Sequence, residues 1–327
     1  MIVRRTLPAF FLVLLSLAVH RQLEAGRRAY PNAGAVTAQR SLTQRPSTGT
    51  FPDWRAGNDC PEPDFQVHHY SSDLYIIRQS KCRTFEAPFM YLIFGEEKVL
   101  LMDTGAVPST DVYGTVITIV ERWLSRHQRD TIDLVVAHTH THPDHIAGDS
   151  QFAGQPYVDQ VVGLGLNQVI QFWGFHDFPH DQTEIDLGNR VIDVLGTPGH
   201  QIASVSLYDR KTRLLLTGDI VYPGHLFIFS PSHWDDFQES LRRLAAFAAE
   251  HPVEWVLGCH IEMSAVPFGS YAWGTPAHPN EHVLQFRPEE LIEIRDAAFA
   301  MGDTPTCRVF DDFVIHPVYL CGITWNP

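Results

Sequence analysis

Nine residues, reading Ala137-His-Thr-His-Thr-His-Pro-Asp-His145, constrain this chain more than any other stretch. They hold four histidines and one aspartate. Just upstream, Ile132-Asp-Leu-Val-Val-Ala137 is a mostly apolar, partly β-branched run that reads as a short buried strand. Pro143 suits the first turn of a helix, where its missing N–H costs no hydrogen bond. The side chains therefore sit on a strand-to-helix turn and converge on one point. Imidazole and carboxylate are the ligands of a borderline ion such as Zn²⁺. A polar turn without a metal is the competing reading, but clustered imidazoles would repel on protonation, and buried ones would need partners.

Within this run His140-Thr-His142-Pro-Asp144-His145 matches the H-x-H-x-D-H signature of the metallo-β-lactamase superfamily. Further matches follow in order: Thr197-Pro-Gly-His200, Leu216-Thr-Gly-Asp219 and Gly258-Cys-His260, each after a candidate strand, with Leu101-Met-Asp103-Thr-Gly105 upstream. From about residue 65 to 265 the chain most resembles the glyoxalase-II-like hydrolases of that superfamily. The resemblance implies a four-layer αββα sandwich of the α+β class; periodicity alone gives only mixed α and β. It also implies two divalent metal ions, zinc being the expected element. His140, His142 and His200 would hold the first, Asp144, His145 and His260 the second, and Asp219 would bridge them. A hydroxide between two Lewis acids would attack an acyl carbon, with Asp144 as the candidate to orient it or relay its proton.

Asp219 separates subfamilies, because the metallo-β-lactamases proper do not place a bridging aspartate there. Tyr222 stands where acyl-homoserine lactonases carry a tyrosine, so its phenol is a candidate oxyanion donor, with packing in the pocket wall as the alternative. His138 and Asp103 are expected to support ligands rather than to be ligands. Three aromatic stretches, 172–178, 222–234 and 268–274, are candidates to wall the pocket. His176, His180, His225, His233, His278 and His282 read as surface residues that could line its mouth.

Formal charge is −14 over 327 residues, which argues against a nucleic-acid partner; a small-molecule substrate is what the resemblance implies. The N-terminus reads as an export signal. Arg4 and Arg5 precede an apolar run too short for a comfortable span, and Leu23-Glu-Ala25 can serve as a cleavage site. Residues 1–25 are thus expected to be a signal peptide, 26–58 a flexible leader and 59–327 the hydrolase domain, giving a periplasmic or extracellular protein. An uncleaved N-terminal anchor is the alternative, and the oligomeric state stays open. Export permits disulfides, with Cys60–Cys82 and Cys307–Cys321 the pairs expected. Cys259 is left over. Neighbours on a strand point to opposite faces, so it should face away from the metals as a core thiol.

Strands are expected near 65–70, 74–78, 89–94, 99–103, 190–195, 204–208, 213–217 and 253–257, with β-like residues again over 308–319. Helices are expected over 110–126, 161–172, from Ser232 to about 250, and from Pro288 to about 300. The reading is an exported dinuclear metal hydrolase cutting a lactone, thioester or β-lactam, in that order. The rivals are a β-lactamase proper acting on antibiotics and a mono-iron sulfur-dioxygenase-like oxidoreductase. The complete set of seven ligands argues against the second.

Overall fold

A computed structural model describes residues 50–324. The expected signal peptide and most of the expected leader lie outside the described residues. In chain order the main elements are β1 (Phe65–Ser71), β2 (Leu74–Gln79), β3 (Phe89–Phe94), β4 (Lys98–Met102), α1 (Val112–His127), β5 (Asp133–Ala137), α2 (Pro143–Ile146), β6 (Val158–Val161) and α3 (Leu166–Trp173). There follow β7 (Gln182–Asp186), β8 (Val191–Gly196), β9 (Val205–Asp209), β10 (Leu214–Gly218), β11 (His225–Ile228), α4 (Trp234–Glu250), β12 (Trp255–Gly258), β13 (Gln285–Phe286), α5 (Pro288–Ala300), β14 (Arg308–Val309) and β15 (Val314–Pro317).

Strands β1 to β6 form one six-stranded sheet in sequence order, and a second runs β13-β12-β10-β9-β8-β7. The layering follows from period-2 burial. On β2, Leu74 and Ile76 face the second sheet, joining Ile192, Val194, Leu207 and Leu214 in the central core. Their neighbours Tyr75 and Ile77 point the other way, onto Val116, Ile119, Val120 and Trp123 of α1. Behind the second sheet, Tyr208, Leu215 and Val256 pack on Phe237, Leu241 and Leu244 of α4 and Leu291 and Ile294 of α5. The order is helix, sheet, sheet, helix: the αββα sandwich.

Helix α1 starts where Asp111 accepts the Gly114 N–H at 2.8 Å. Three boundaries differ from expectation. The helix expected over 161–172 begins only at Leu166, because the stretch up to Val161 pairs with β5 as an edge strand and Gly165 starts the helix. Ser232 does not cap α4; Ser230 caps a short 3-10 turn that leads into it at Trp234. The end of the expected leader, 51–58, belongs to the domain: Phe51 and Trp54 pack on the central core, and the Ala56 carbonyl accepts the His278 N–H at 2.9 Å. Polar composition suggested a flexible segment, but two aromatics suffice to anchor it.

The sheets are also tied by ions. Arg190, fully buried, grips Asp209 of the second sheet through Nε and Nη2 and donates from Nη1 to the carbonyls of Asp73 (2.6 Å) and Phe94 (2.9 Å) on the first. Arg78 makes a bidentate pair with Glu281 at 2.6 and 2.7 Å, fastening the late loop to β2. Both expected cysteine pairs are bonded, with Cα–Cα distances of 5.8 Å (Cys60–Cys82) and 6.1 Å (Cys307–Cys321). Among the described residues no helix is long and apolar enough to cross a membrane.

Candidate metal centre

The site is built at the ends of strands. Parallel pairing of β4 with β5 puts Asp103 and the turn 138–145 at one edge of the first sheet. His200, Asp219 and His260 follow β8, β10 and β12, which end together on the second sheet. The edges are stitched directly: the Thr139 carbonyl accepts Val205 N–H at 2.8 Å, and Cys259 O accepts Phe89 N–H at 2.8 Å. Pro143 opens α2 with His142 as its N-cap residue, so two turns of chemistry are packed into a few residues. Gly199 (φ +137°) and Gly218 (φ +54°) immediately precede His200 and Asp219. A Cβ on Gly199 would lie 2.5 Å from the backbone of Phe237, and one on Gly218 2.9 Å from Thr139 Cβ, so only glycine lets these ligand turns close.

The seven expected side chains form two donor groups, His140–His142–His200 and Asp144–His145–Asp219–His260. Within the first, His142 Nδ1 is 3.1 Å from His140 Nε2 and 2.9 Å from His200 Nε2. Within the second, Asp144 Oδ2 is 3.1 Å from His145 Nε2 and 3.2 Å from His260 Nε2. Asp219 Oδ2 lies between the groups, 3.8 and 3.6 Å from His140 and His200, and 3.5 and 3.4 Å from His145 and His260.

Outer partners fix the ring orientations. His200 Nδ1–H donates to Phe227 O (2.9 Å), His260 Nδ1–H to Glu86 O (3.0 Å) and His145 Nδ1–H to Asp103 Oδ2 (3.1 Å). Each leaves Nε2 turned inward, the nitrogen that presents a lone pair once the ring is deprotonated. Asp103, buried, also accepts from Thr139 N and Oγ1 at 2.8 Å each. These bonds hold it at φ +68°, a conformation uncommon for a non-glycine residue. His138 supports the turn from the side, Nε2 meeting Asp149 Oδ1 at 2.9 Å.

Burial pushes His140 well below the usual imidazole range, and His200 down to about 4, so both are neutral near pH 7. Burial acts on His145 and His260 in the same direction, but the carboxylates of Asp144 and Asp219 outweigh it and hold both well above their usual range. Burial would raise Asp144 and Asp219, yet the histidines beside them hold both well below the carboxylate range.

The donor set fits divalent cations. A tetrahedral ion bonded at about 2.1 Å keeps its nitrogens about 3.4 Å apart, close to the spacings of the three-histidine group. Asp219 Oδ1 is buried and accepts no hydrogen bond among the described residues, an orphan that a cation would satisfy. The two groups should load differently. The three-histidine group is already deprotonated, whereas an ion entering the other must displace protons from His145 and His260. Calorimetric titration at pH 7 in buffers of different ionisation enthalpy should show one nearly proton-neutral step and one releasing about two protons. Two steps with equal proton release would contradict these protonation states.

Several expected roles change. Tyr222 is fully buried, and its hydroxyl donates to the carbonyl of His225, with Glu262 Oε2 3.3 Å away. Buried and bonded there, the phenol takes the packed arrangement that was the alternative to the oxyanion role. Cys259 does not face away from the site: its Sγ lies 3.5 Å from Asp103 Oδ2, behind His145. It is nonetheless a buried thiol, pushed well above the usual thiol range by burial and by the Asp103 carboxylate, and so inert. The surface default fails for His225 and His278, both buried. His225 Nδ1 meets His316 Nδ1 at 2.9 Å, and His278 stacks on Tyr271. Of the aromatic stretches, 172–178 turns inward, with Trp173 and Phe175 in the central core.

The sequence model of the metallo-beta-lactamase superfamily matches residues 83–250. The chain belongs to that superfamily. It is a metal-dependent hydrolase by kinship. Acyl-coenzyme A thioesterase MBLAC2 of Homo sapiens is 26% identical over 200 residues, covering 52% of this chain and 72% of the relative. Hydroxyacylglutathione hydrolase of Ectopseudomonas mendocina is 30% identical over 135 residues, 38% of this chain and 46% of that one. Among solved structures, a metallo-beta-lactamase from Pontibacter korlensis matches 72% of this chain and 99% of its own at 15% identity, with a TM-score of 0.47. Within this superfamily frame, sequence reading missed Phe85 and Glu86. No motif marks them; only the fold brings the Glu86 carbonyl to His260.

Proposed function

We propose that this chain is an exported, dinuclear metallo-hydrolase that cleaves the thioester bond of a small acyl substrate. The observation that carries the reading is the place of Asp219, whose Oδ2 is within 3.8 Å of ring nitrogens from both donor groups. Bound divalent ions, zinc by the mixture of imidazole and carboxylate donors, would polarise an acyl carbonyl and make water acidic enough to attack near neutral pH. The chain's own part is to aim that chemistry. Asp103, Glu86 O and Phe227 O hold three imidazoles with their inner nitrogens converging. Asp144, 17% exposed at the cleft and kept ionised by His145 despite burial, can accept a hydrogen bond from the attacking water at Oδ1 or Oδ2. In balance, water gives OH to the acyl carbon, the carbon–sulfur bond breaks, and the proton goes to the departing sulfur.

Thioesters move ahead of lactones for two reasons. Tyr222, the residue likened to the lactonases, has its hydroxyl bonded to the His225 carbonyl. The similar proteins described above are an acyl-coenzyme A thioesterase and a hydroxyacylglutathione hydrolase. Seven donors favour a dinuclear centre over a single iron. Export is supported by two bridged cysteine pairs, which persist in oxidising compartments. Zinc-loaded protein should carry about two ions per chain by elemental analysis and release free thiol from acyl thioesters, with a chelator stopping the release. Esters or β-lactams cleaved in preference to every thioester would overturn the substrate assignment, and a single bound ion in the active form would overturn the dinuclear one.

A further inference from the structure

Beside the polar centre runs a row of aromatic rings that the metal chemistry does not use. Phe229, just past β11, lies edge-on to the first donor group, its centroid 5.3 Å from His142 and 5.4 Å from His200. It stacks on Phe227 at 5.9 Å, Phe227 meets Trp273 edge-on at 5.6 Å, and Trp273 meets Phe85 at 4.8 Å. Phe85 adjoins Glu86, whose carbonyl anchors His260 of the second group. The row thus passes from one donor group to the other. Phe229 and Trp273 are each 38% exposed, too open for core side chains, while Phe227 behind them is buried. Phe229 and Trp273, joined through the buried Phe227, leave apolar surface in water beside the donor groups, which a ligand can cover.

We infer that this row is the acyl subsite, receiving an alkyl or aryl acyl group of medium length and selecting it over short polar acyl groups. The inference rests on the thioesterase reading for its reaction but on the rings for its chemistry. In a small thioester the thiol carrier is polar, so an apolar wall beside the donors can recognise only the acyl part. Burying methylenes against such a wall favours binding by about fourfold each.

The test uses thioesters of one thiol with acyl chains of two to ten carbons, alongside calorimetric binding of acetate and octanoate. In the wild type, kcat/KM should climb about two- to fourfold per methylene over part of the series. Phe229→Ser and Trp273→Ser should each cut the ratio of eight-carbon to two-carbon kcat/KM by roughly tenfold, whereas Trp273→Leu, which keeps an apolar side chain, should retain most of it. Turnover with no chain-length dependence, or dependence untouched by either serine variant, would overturn the subsite and leave the hydrolase intact. No turnover, but octanoate binding tighter than acetate and weakened by the serine variants, would overturn the hydrolase and support the subsite. Neither turnover nor chain-dependent binding would remove both.

Discussion

Replacing Asp219 by alanine will lower kcat/KM by at least about a thousandfold, near 4 kcal/mol of transition-state stabilisation. The chain places this carboxylate where nothing else can substitute: its Oδ2 faces four imidazole nitrogens, and its Oδ1 is buried without a hydrogen-bond partner. Removing it leaves two groups of imidazoles with one negative charge fewer between them. Its attraction helps hold His260 and His145 above the usual imidazole range, so the alanine variant should shift both downward. Elemental analysis should then find fewer ions, about one per chain, retained by His140, His142 and His200. Asp219→Asn keeps the size but not the charge and should also lose most activity, which separates charge from shape. Two ions per chain and near-normal turnover in both variants would mean that Asp219 is not the shared ligand.

How much of this could be read before the fold was known differs by kind of residue. The convergence of the seven side chains was legible because each sits in a short motif near a strand end, and a turn fixes the direction of its side chain almost by itself. His140, His142, Asp144 and His145 are neighbours in sequence, so their convergence needed only local geometry. The orientation of Tyr222 was not legible. Its place three residues after Asp219 says where the Cα lies, but its hydroxyl is set by the His225 carbonyl and by Glu262, forty residues away. Cys259 failed for a related reason. Strand alternation ends with β12 at Gly258, so a rule for strands was applied one residue past the strand. The aromatic row joins Phe85, Phe227, Phe229 and Trp273 across almost two hundred residues, and no periodicity in one segment could predict it. Edge strands β7 and β13 also escaped, since Gln182–Asp186 holds a single apolar residue and β13 is only two residues long.

The largest stability effect is expected far from the centre, at Arg190. Its side chain is 1% exposed, as is that of Asp209. Guanidinium and carboxylate meet through two bonds, and Nη1 reaches the Asp73 and Phe94 carbonyls of the other sheet. Asp209 is further held by the backbone N–H of Lys211 (3.1 Å) and by Thr212. A buried pair so fully bonded contributes little relative to an apolar pair of the same shape, because desolvating both ions offsets their attraction. Breaking it is different. Arg190→Met leaves a buried carboxylate without its cation and takes a donor from the Phe94 carbonyl and one of two donors from the Asp73 carbonyl, costing about 3–5 kcal/mol. In a domain of this size each kcal/mol lowers Tm by about 2–4 °C, so thermal unfolding should fall by roughly 10 °C. Asp209→Leu alone should cost as much. The double variant should recover part of the loss, since no unpaired ion remains, though the Phe94 carbonyl still lacks the Arg190 donor. Additive losses in the double variant would show that the two side chains act independently, and a fall of only 1–2 °C for Arg190→Met would show that water reaches the pair.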